Sequence, residues 1–599
     1  MSKTLQQSDG LITFDIKIDG SRISDVIEVQ EISIDMQINR ISSATIIVQD
    51  GGAMGLENAP FENSDGKLFI PGVDVEISLG YDGKRKTAFK GVVIGQRLKI
   101  VNSESQLQIV CRDKAYLMTK GRYNAIYRDK TDADTIKALV NNHAGVSLDI
   151  DALSIEVPEM MQYNCSDWDF IVMRAEANNM IVSTHQNKLS VKKIDFSKEP
   201  EFEINAAQFV KDVDLHLSGD QVIAGVDLTS WDSNEQKEET QNINISDTLA
   251  QGNLSAKKIA SGVGAKNTSV YSSAPLSKEE MKLLGDAIVS KSVLSKIEGT
   301  LVVPGTIAIV AGDIIKLSDL SARFNGKAFV TRVLHQLDDG EWFTTLFIGA
   351  PSSFHASKSD VADFPASGIL PASNGLQIGK VLKIHEDPAN NNRVQIALSS
   401  FTGTGQKEGI WARIAFPYAS NEAGFFFYPE VGDEVLVTFL NNDPRFPVIT
   451  GAMYNGKNVA KEIPDEKNQF KSIYSKSGIN IRFDDEDKIL TIETPEKNKI
   501  TLSDKDKSII VEDLNKNKIT MSESGIELDS PKDIKITSKA DVSIKATGNI
   551  ALEATGDLTG EGMNVTFTGQ TGFTAKGNAT AELSGGGQTT VKGAMVMIN

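Results

Sequence analysis

Residues 534–599 read IKITSKADVSIKATGNIALEATGDLTGEGMNVTFTGQTGFTAKGNATAELSGGGQTTVKGAMVMIN. In steps of eight, apolar or small pairs stand at Ile534/Ile536, Val542/Ile544, Ile550/Leu552 and Leu558/Gly560. After a slip of one residue they resume at Val565/Phe567, Phe573/Ala575, Ala581/Leu583 and Thr589/Val591. Glycines keep the same beat at Gly548 and Gly556, then at Gly569, Gly577, Gly585 and Gly593, where a corner with unusual backbone angles would fall. Two apolar residues two apart predict one short strand per octad, with one face turned inward, followed by a turn. Two inward side chains per octad cannot close a core around themselves, and a single-chain solenoid needs several strands in each coil. Three copies, each supplying one face of a triangular prism, would close the interior and leave few strand edges exposed. The expected prism core is Ile534, Ile536, Val542, Ile544, Ile550, Leu552, Val565, Phe567, Phe573, Leu583 and Val591. At about 4.8 Å per layer the octads would make a needle on the order of 40 Å long. A disordered Thr/Gly/Ala-rich tail would not hold the period.

Upstream the theme recurs with a longer repeat. Apolar clusters stand at Ile479/Ile481/Phe483, Leu490/Ile492, Ile500/Leu502, Ile509/Val511 and Ile519/Met521, and NKITLSD at 498–504 is echoed by NKITMSE at 517–523. These predict wider layers of the same prism, so the prism is placed over residues 479–599, after a polar connector at 457–478.

With 599 residues the chain has room for three or four domains, and 40% hydrophobic residues is ordinary for soluble protein. A formal net charge of −18, with no concentrated basic tract, speaks against nucleic acid or an anionic membrane surface as a partner. The start, MSKTLQQSDG, lacks the positive region and apolar run of a secretory signal, and no stretch of about 18 apolar residues occurs. Assembly in the cytosol is therefore expected. Cys111 and Cys165 are too few for a disulfide framework or a cysteine metal site and read as structural thiols.

From the start, residues 11–110 read as alternating strands that end at Gly, Asn or Asp. Helices are expected from about Asp132 and over 167–178, the second with Ser166 and Asp169 as a capping box before a stripe of Phe170, Met173 and Ala177. Residues 181–230 return to strands, and the polar tract 230–273 reads as a long surface excursion. Ser277 and Glu280 form another capping box for a helix over 278–296 closed by Gly299, and 300–349 are strands again. A Ser/Ala/Pro linker follows at 351–375, then five short strands over 376–456 that suit a small Greek-key barrel of OB type.

In that block, GIWARIAFPYASNEAGFFFYPEVGDEVLVTFLNNDPRFPVITGAMYN resembles the barrel signature of the VgrG spike of type VI secretion systems, a family related to phage tail spikes. Trp411, Arg413, Gly424, Phe425, Pro429, Glu430, Gly432, Asp433, Glu434, Val435, Asp443, Pro444, Pro447, Gly451 and Tyr454 stand where that pattern expects them. YNCSDWDFIVMRAEANNMIV is similar to the helix of the family's hub domain, and Gly299 to Gly349 to its closing strands. The tract 230–273 has no counterpart in the resemblance. The implied fold is mainly β with a few helices: a tail-hub-like β-barrel domain over 1–350, an OB-fold barrel, and a C-terminal trimeric β-helix or β-prism needle.

Local chemistry fits the barrel reading. Gly432-Asp433 suits a tight turn that sends Val435 and Val437 to one face of the next strand, and Pro429 and Pro447 would flank strands without interrupting them. The aromatic run Phe425 to Tyr428 has the form of a stacking platform for single-stranded nucleic acid. Six Lys/Arg against eight Asp/Glu between 376 and 456 give −2, which favours packing against the hub or a neighbouring subunit instead.

No catalysis is expected. His143, His185, His216, His335, His355 and His385 show no H-x-x-x-H or H-E-x-x-H spacing, so neither a metal nor a cofactor is expected. A related phage spike carries a lysozyme domain between barrel and prism, but the connector here is too short for one. The acidic run Asp484 to Asp487 lies on an expected turn. There is no G-x-S-x-G and no G-x-x-x-x-G-K-[ST], and with the chain stopping at Asn599 no effector domain is expected.

The resemblance implies a homotrimeric spike at the tip of a contractile injection machine. It would sit on baseplate proteins, meet an inner-tube (Hcp-like) ring, carry effector cargo or adaptors, and cross the target membrane mechanically. Export into the medium or a target cell would follow. Met595, Val596, Met597 and Ile598 would form the docking face for a PAAR-type tip protein, since an open prism end exposes strand edges and apolar core. The rival readings are the spike of an extracellular phage-tail-like particle, a trimeric adhesin or tail fibre, and an enzymatic spike.

Overall fold

The computed structural model describes residues 2–5, 10–51, 61–101, 104–246, 249–361, 364–400 and 408–598. Asp247 and Thr248 of the 230–273 tract, Ala362 and Asp363 of the linker, and Asn599 lie outside the described residues. The chain divides into two units, Met1–Met453 and Tyr454–Asn599.

The first unit is built on a 14-stranded sheet. Its middle shows why the alternating stretches become strands. Val29–Gln37 lies between Ser43–Gln49 and Gly326–Asp338, and Ser43–Gln49 is followed by Glu104–Arg112. The antiparallel registers put Leu337, Ile32, Ile46 and Ile109 in one cross-strand row, all buried, while the intervening polar residues face the other way. Cys111 sits in this core, where burial pushes its thiol up to about 12.

The longer helices are α1 (Asp132–Asn141), α2 (Asp167–Ala177), α3 (Ala256–Val263) and α4 (Lys278–Leu294). Ser277 and Glu280 form the expected capping box of α4. At α2, Ser166 accepts from the Asp169 backbone N–H, but the Asp169 carboxylate accepts from the Ser166 hydroxyl rather than from its backbone, so the box is incomplete. The buried face of α2 carries Trp168, Phe170, Ile171, Val172 and Ala175, broader than the expected stripe, with Met173 only half-buried. Gly299 does not close α4, which ends at Ser295. It lies in strand Ile297–Pro304 with φ +147°, and a Cβ there would stand 1.9 Å from the Asp214 carbonyl oxygen of the paired strand.

The tract 230–273 is not a surface excursion. Gly225–Asp232 pairs antiparallel with Lys237–Asn244 and parallel with Asn267–Ser272, and α3 lies between the last two in sequence. Val226, Leu228, Leu249, Ala256, Ile259 and Ala260 join Met281, Val289 and Val293 of α4 in a core of their own. Only one side of this small sheet is covered, and much of its apolar surface comes from small residues, so its composition reads as polar.

Residues Gln377–Lys383, Val394–Leu398, Ile410–Ile414, Pro447–Ala452 and Glu434–Phe439 close a five-stranded barrel, with Ile410–Ile414 and Pro447–Ala452 parallel. Val381, Val394, Ile396, Ala412, Val435, Val437 and Ile449 fill it.

The second unit opens with a seven-stranded antiparallel meander running in sequence order from Phe470–Tyr474 to Gly525–Asp529. It begins inside the stretch expected as a connector, because Phe470–Tyr474 pairs with Asn480–Asp484. The NKIT repeats set equivalent turns: Lys497 and Lys516 take φ +71° and +70°, and the Leu514 N–H donates to the Asn498 side chain of the turn below. Beyond Asp529 the chain runs extended, bending at 531, 539, 547, 555 and 563, then at 570, 578, 586 and 594. The interval of eight and its single contraction to seven match the period and slip read from the sequence.

Candidate assembly interface

The meander presents two apolar rows on one face. The strand register aligns Ile473, Ile481, Ile492, Ile500, Val511, Ile519 and Leu528 in the first. Two residues along each strand, it aligns Phe483, Leu490, Leu502, Ile509, Met521 and Ile526 in the second. The opposite face carries Thr491, Thr501, Ile510 and Thr520, β-branched side chains suited to a pleated surface. The described residues of the same chain leave the apolar rows partly open: Ile492, Ile500, Val511 and Ile519 remain 37–38% exposed at strand centres. An open trough of about 590 Å³ runs along this face, lined by these four residues with Leu528 and Ile534, so the first row leads into the octads.

In the octads the exposures repeat layer by layer. Ile534, Val542, Ile550 and Val565 are 55–58% exposed, whereas Ile536, Ile544, Leu552 and Phe567 are 71–77% exposed. Phe573, Leu583 and Val591 are also exposed, and Phe567 stacks on Phe573 with ring centroids 6.5 Å apart. Four octads thus hold their two apolar side chains in repeated exposures, while Leu558, at the first position of the octad after Ile550/Leu552, is 70% exposed. At the end of the described chain Met595, Val596, Met597 and Ile598 are all exposed.

In the barrel, the signature residues mostly make turns. Gly432, at φ +98°, donates its N–H to the Val381 carbonyl, and the Asp433 carboxylate accepts from the Glu430 N–H, which closes the turn before Val435 and Val437. Asp443 accepts from both the backbone and the guanidinium of Arg445, and that pairing lowers its pKa. Pro444 lies within this turn, and Pro447 opens its strand, where a missing N–H is tolerated. Trp411 and Arg413 stand on Ile410–Ile414, half-buried and exposed respectively. Gly424 pairs with Ala419 in a two-residue ladder, and a Cβ on it would meet the Tyr418 carbonyl at 2.5 Å. Pro429 is half-buried. Phe425, Phe426 and Phe427 are exposed; Tyr428 anchors the run, packing on the barrel core and donating to the Asn392 carbonyl, and the Phe425 N–H donates to the Tyr418 carbonyl.

The histidines take packing or ion-pair roles, and His185 lies near enough to His335 to act on it electrostatically. His143 and His355 sit 2.8 Å from Asp167 and Asp169 at the start of α2. His335 is fully buried, which drives its pKa down to about 3. Among the described residues no group of three or more His, Cys, Asp or Glu is arranged to hold a metal ion. The acidic run 484–487 is a turn whose Asp485, Glu486 and Asp487 each meet a lysine: Lys471, Lys467 and Lys505.

Sequence reasoning missed Ile473, Ile526 and Leu528 as members of the apolar face. Phe470–Tyr474 offers one apolar residue to the rows, with Lys471 in the other position, so its period-2 signal is half-strength. Glu176 was also missed. Its carboxylate accepts from Asn39, Lys291 and the His355 N–H, and so ties α2 to α4 and to the residues after the last hub strand.

Residues 8–339 match the Alg8 N-terminal domain family, and residues 377–454 match the type VI secretion system/phage-baseplate injector OB domain. The type VI secretion system spike protein VgrG3 of Vibrio cholerae is 35% identical over 86 residues, 14% of this chain and 8% of that protein. VgrG4b of Pseudomonas aeruginosa is 35% identical over 99 residues, 16% of this chain and 12% of the relative. The matched segments thus span about a tenth of these relatives' length. Among solved structures, the 43 kDa tail protein of prophage MuSo2 from Shewanella oneidensis superposes with a TM-score of 0.45 at 11% identity, covering 57% of this chain and 99% of that one. The lidless PdpA-VgrG complex from Francisella gives 0.38 at 11% identity, covering 87% and 98%. With more than half of its length matched by one family model, the chain belongs to the Alg8 N-terminal domain family, and the barrel that follows is of the type VI secretion system/phage-baseplate injector OB kind.

Proposed function

We propose that the chain acts as a homotrimer at the tip of a contractile injection machine, where it is the piercing element. The observation that carries this reading is the apolar strip. Two rows run through the meander, and exposed apolar side chains recur at the octad period beyond it, left uncovered by the described residues of the same chain. Two further copies of the strip are the partner that supplies an identical period, and closing three of them buries every row. The proposed role is mechanical and not catalytic. Axial load on such a needle is shared by three chains that must shear together. In this reading the hub seats on baseplate proteins and the inner-tube ring, and the exposed Met595 to Ile598 end receives a conical PAAR-type tip protein. Effector cargo or adaptors travel with the spike from the cytosol to the medium or the target cell. A type VI system and an extracellular phage-tail-like particle would use the same residues; genes for a membrane-anchoring complex beside this one favour the first.

The test is the native mass of the purified chain by light scattering after gel filtration. Three times 64.9 kDa gives about 195 kDa, the expected result. A monomer under conditions that permit assembly overturns the reading.

A further inference from the structure

The barrel carries a second exposed aromatic feature, distinct from the strip, whose Phe426 ring stands 4.9 Å from the Tyr428 ring, centroid to centroid. Phe425 and Phe427 lie side by side with centroids 6.4 Å apart and form one wall of an open trough of about 670 Å³. Phe416, Ile449, Gly451 and Ala452 lie across it, and no residue that lines it is charged. Phe426 is not among the lining residues and is 80% exposed, the most exposed of the three phenylalanines. The segment therefore offers an aromatic knob and an aromatic hollow from adjacent residues.

We propose that Phe426 of one copy seats in the Phe425/Phe427 trough of the next, so that three barrels close into a ring by head-to-tail contacts. This inference rests on the trimer reading above and adds a contact that reading does not require. Two observations select a second copy as the occupant. A trough without charge offers no cation to phosphate, so a nucleic-acid strand would gain stacking but no electrostatic hold. Knob and hollow are different patches of one surface, the relation that generates rings under rotational symmetry.

The test uses the full chain in two versions with different affinity tags, one Phe426→Cys and the other Thr450→Cys, co-expressed and treated with a short bismaleimide. Both positions are exposed, and the native Cys111 and Cys165 are buried. The expected result is a covalent product carrying both tags, at least ten times more abundant than the product from either variant alone. Pro417→Cys serves as a second acceptor position on the trough and is expected to behave like Thr450→Cys. If the two tags co-purify as a trimer of about 195 kDa but neither pair cross-links, the contact is overturned and the trimer stands. Cross-linking of Phe426→Cys chains to one another would also overturn it, because the knobs would then meet each other and not the trough. If the tags do not co-purify and the chains run at 64.9 kDa, both this contact and the trimer reading fall.

Discussion

Replacing Ile536 by alanine tests whether the octads are faces of a shared interior. Ile536 is 73% exposed in the single chain, so nearly three-quarters of its surface is left for partners to cover. Fully burying an isoleucine is worth about 3 kcal/mol at the upper end, which leaves about 2 kcal/mol to be gained on assembly. Alanine keeps roughly a quarter of the side-chain carbon, so the loss is about 1.6 kcal/mol per chain and about 5 kcal/mol per trimer, before any cavity is counted. The control is its neighbour Lys535, which points away from the pair; Lys535→Ala is expected to change stability by no more than about 0.5 kcal/mol per chain. Ile534→Ala gives an internal scale: with 55% of its surface exposed, the same reasoning yields about 4 kcal/mol per trimer. The measurement is guanidinium unfolding at one fixed chain concentration, with the trimer followed by light scattering, because the stability of an obligate oligomer depends on protomer concentration. The reasoning is refuted if Ile536→Ala costs under about 1 kcal/mol per trimer, or if Lys535→Ala costs as much.

Other predictions reach the remaining parts of the chain. Deleting residues 594–599 is expected to abolish binding of a conical tip protein in a pull-down while leaving the trimer mass unchanged. Retained binding would place the docking face elsewhere. Gly299→Ala puts a Cβ 1.9 Å from the Asp214 carbonyl at φ +147°, and the strain is expected to cost at least about 3 kcal/mol or to prevent the hub from folding, read by urea denaturation. Asp113 is pushed up to about 6 by burial, only partly offset by the Ala115 and Asn187 N–H groups that donate to it. A raised carboxyl pKa means the folded state binds the proton more tightly than the unfolded chain, so this group's penalty grows from about pH 4 to pH 6 and is complete above it, on the order of 3 kcal/mol. Lowering the pH from 7 to 5 is expected to raise the melting temperature of the wild type relative to Asp113→Asn. Parallel pH profiles would refute it.

What could be read from the sequence depended on whether a signal was periodic and whether its partner lay in the same chain. The octads were legible because one inward pair recurs through eight layers, and even the slip after Leu558 appears as a seven-residue interval between the bends at 563 and 570. The barrel was legible because its turns need particular residues, Gly432 at φ +98° and Asp443 bound to Arg445, and these keep fixed spacings. The 230–273 tract was not. Lys237–Asn244 holds one large apolar residue, Ile243, on an edge strand, and α3 buries Ala256 and Ala260, which any composition count scores as weak. The first meander strand failed for the same reason, with Lys471 occupying a row that Phe483 and Leu490 fill in the next two strands. The aromatic run was expected to pack on the hub or on another subunit. In one chain Phe425, Phe426 and Phe427 stay 52–80% exposed, and no pattern within residues 425–428 distinguishes the two.

The two halves of the spike differ in where their strand partners lie, and this implies an order of assembly under the proposed trimer. Each meander strand pairs with the strand before it across a short turn, as Lys499–Ser503 does with Ile489–Glu493, so the backbone ladder closes within the chain. Such local pairing can form before association, because little loop entropy opposes it. The octads have no such ladder in the described chain, and two inward side chains offset only part of the entropy of ordering eight residues. Their composition lessens that cost, since glycine and alanine lose no rotamer freedom, but it does not remove it. The needle's order must then come from contacts between chains, layer upon layer, starting where the meanders have already met. The apolar row that runs from Leu528 to Ile534 without a break supplies that starting layer, and a period shared by all three chains lets each added octad repeat the contacts of the last.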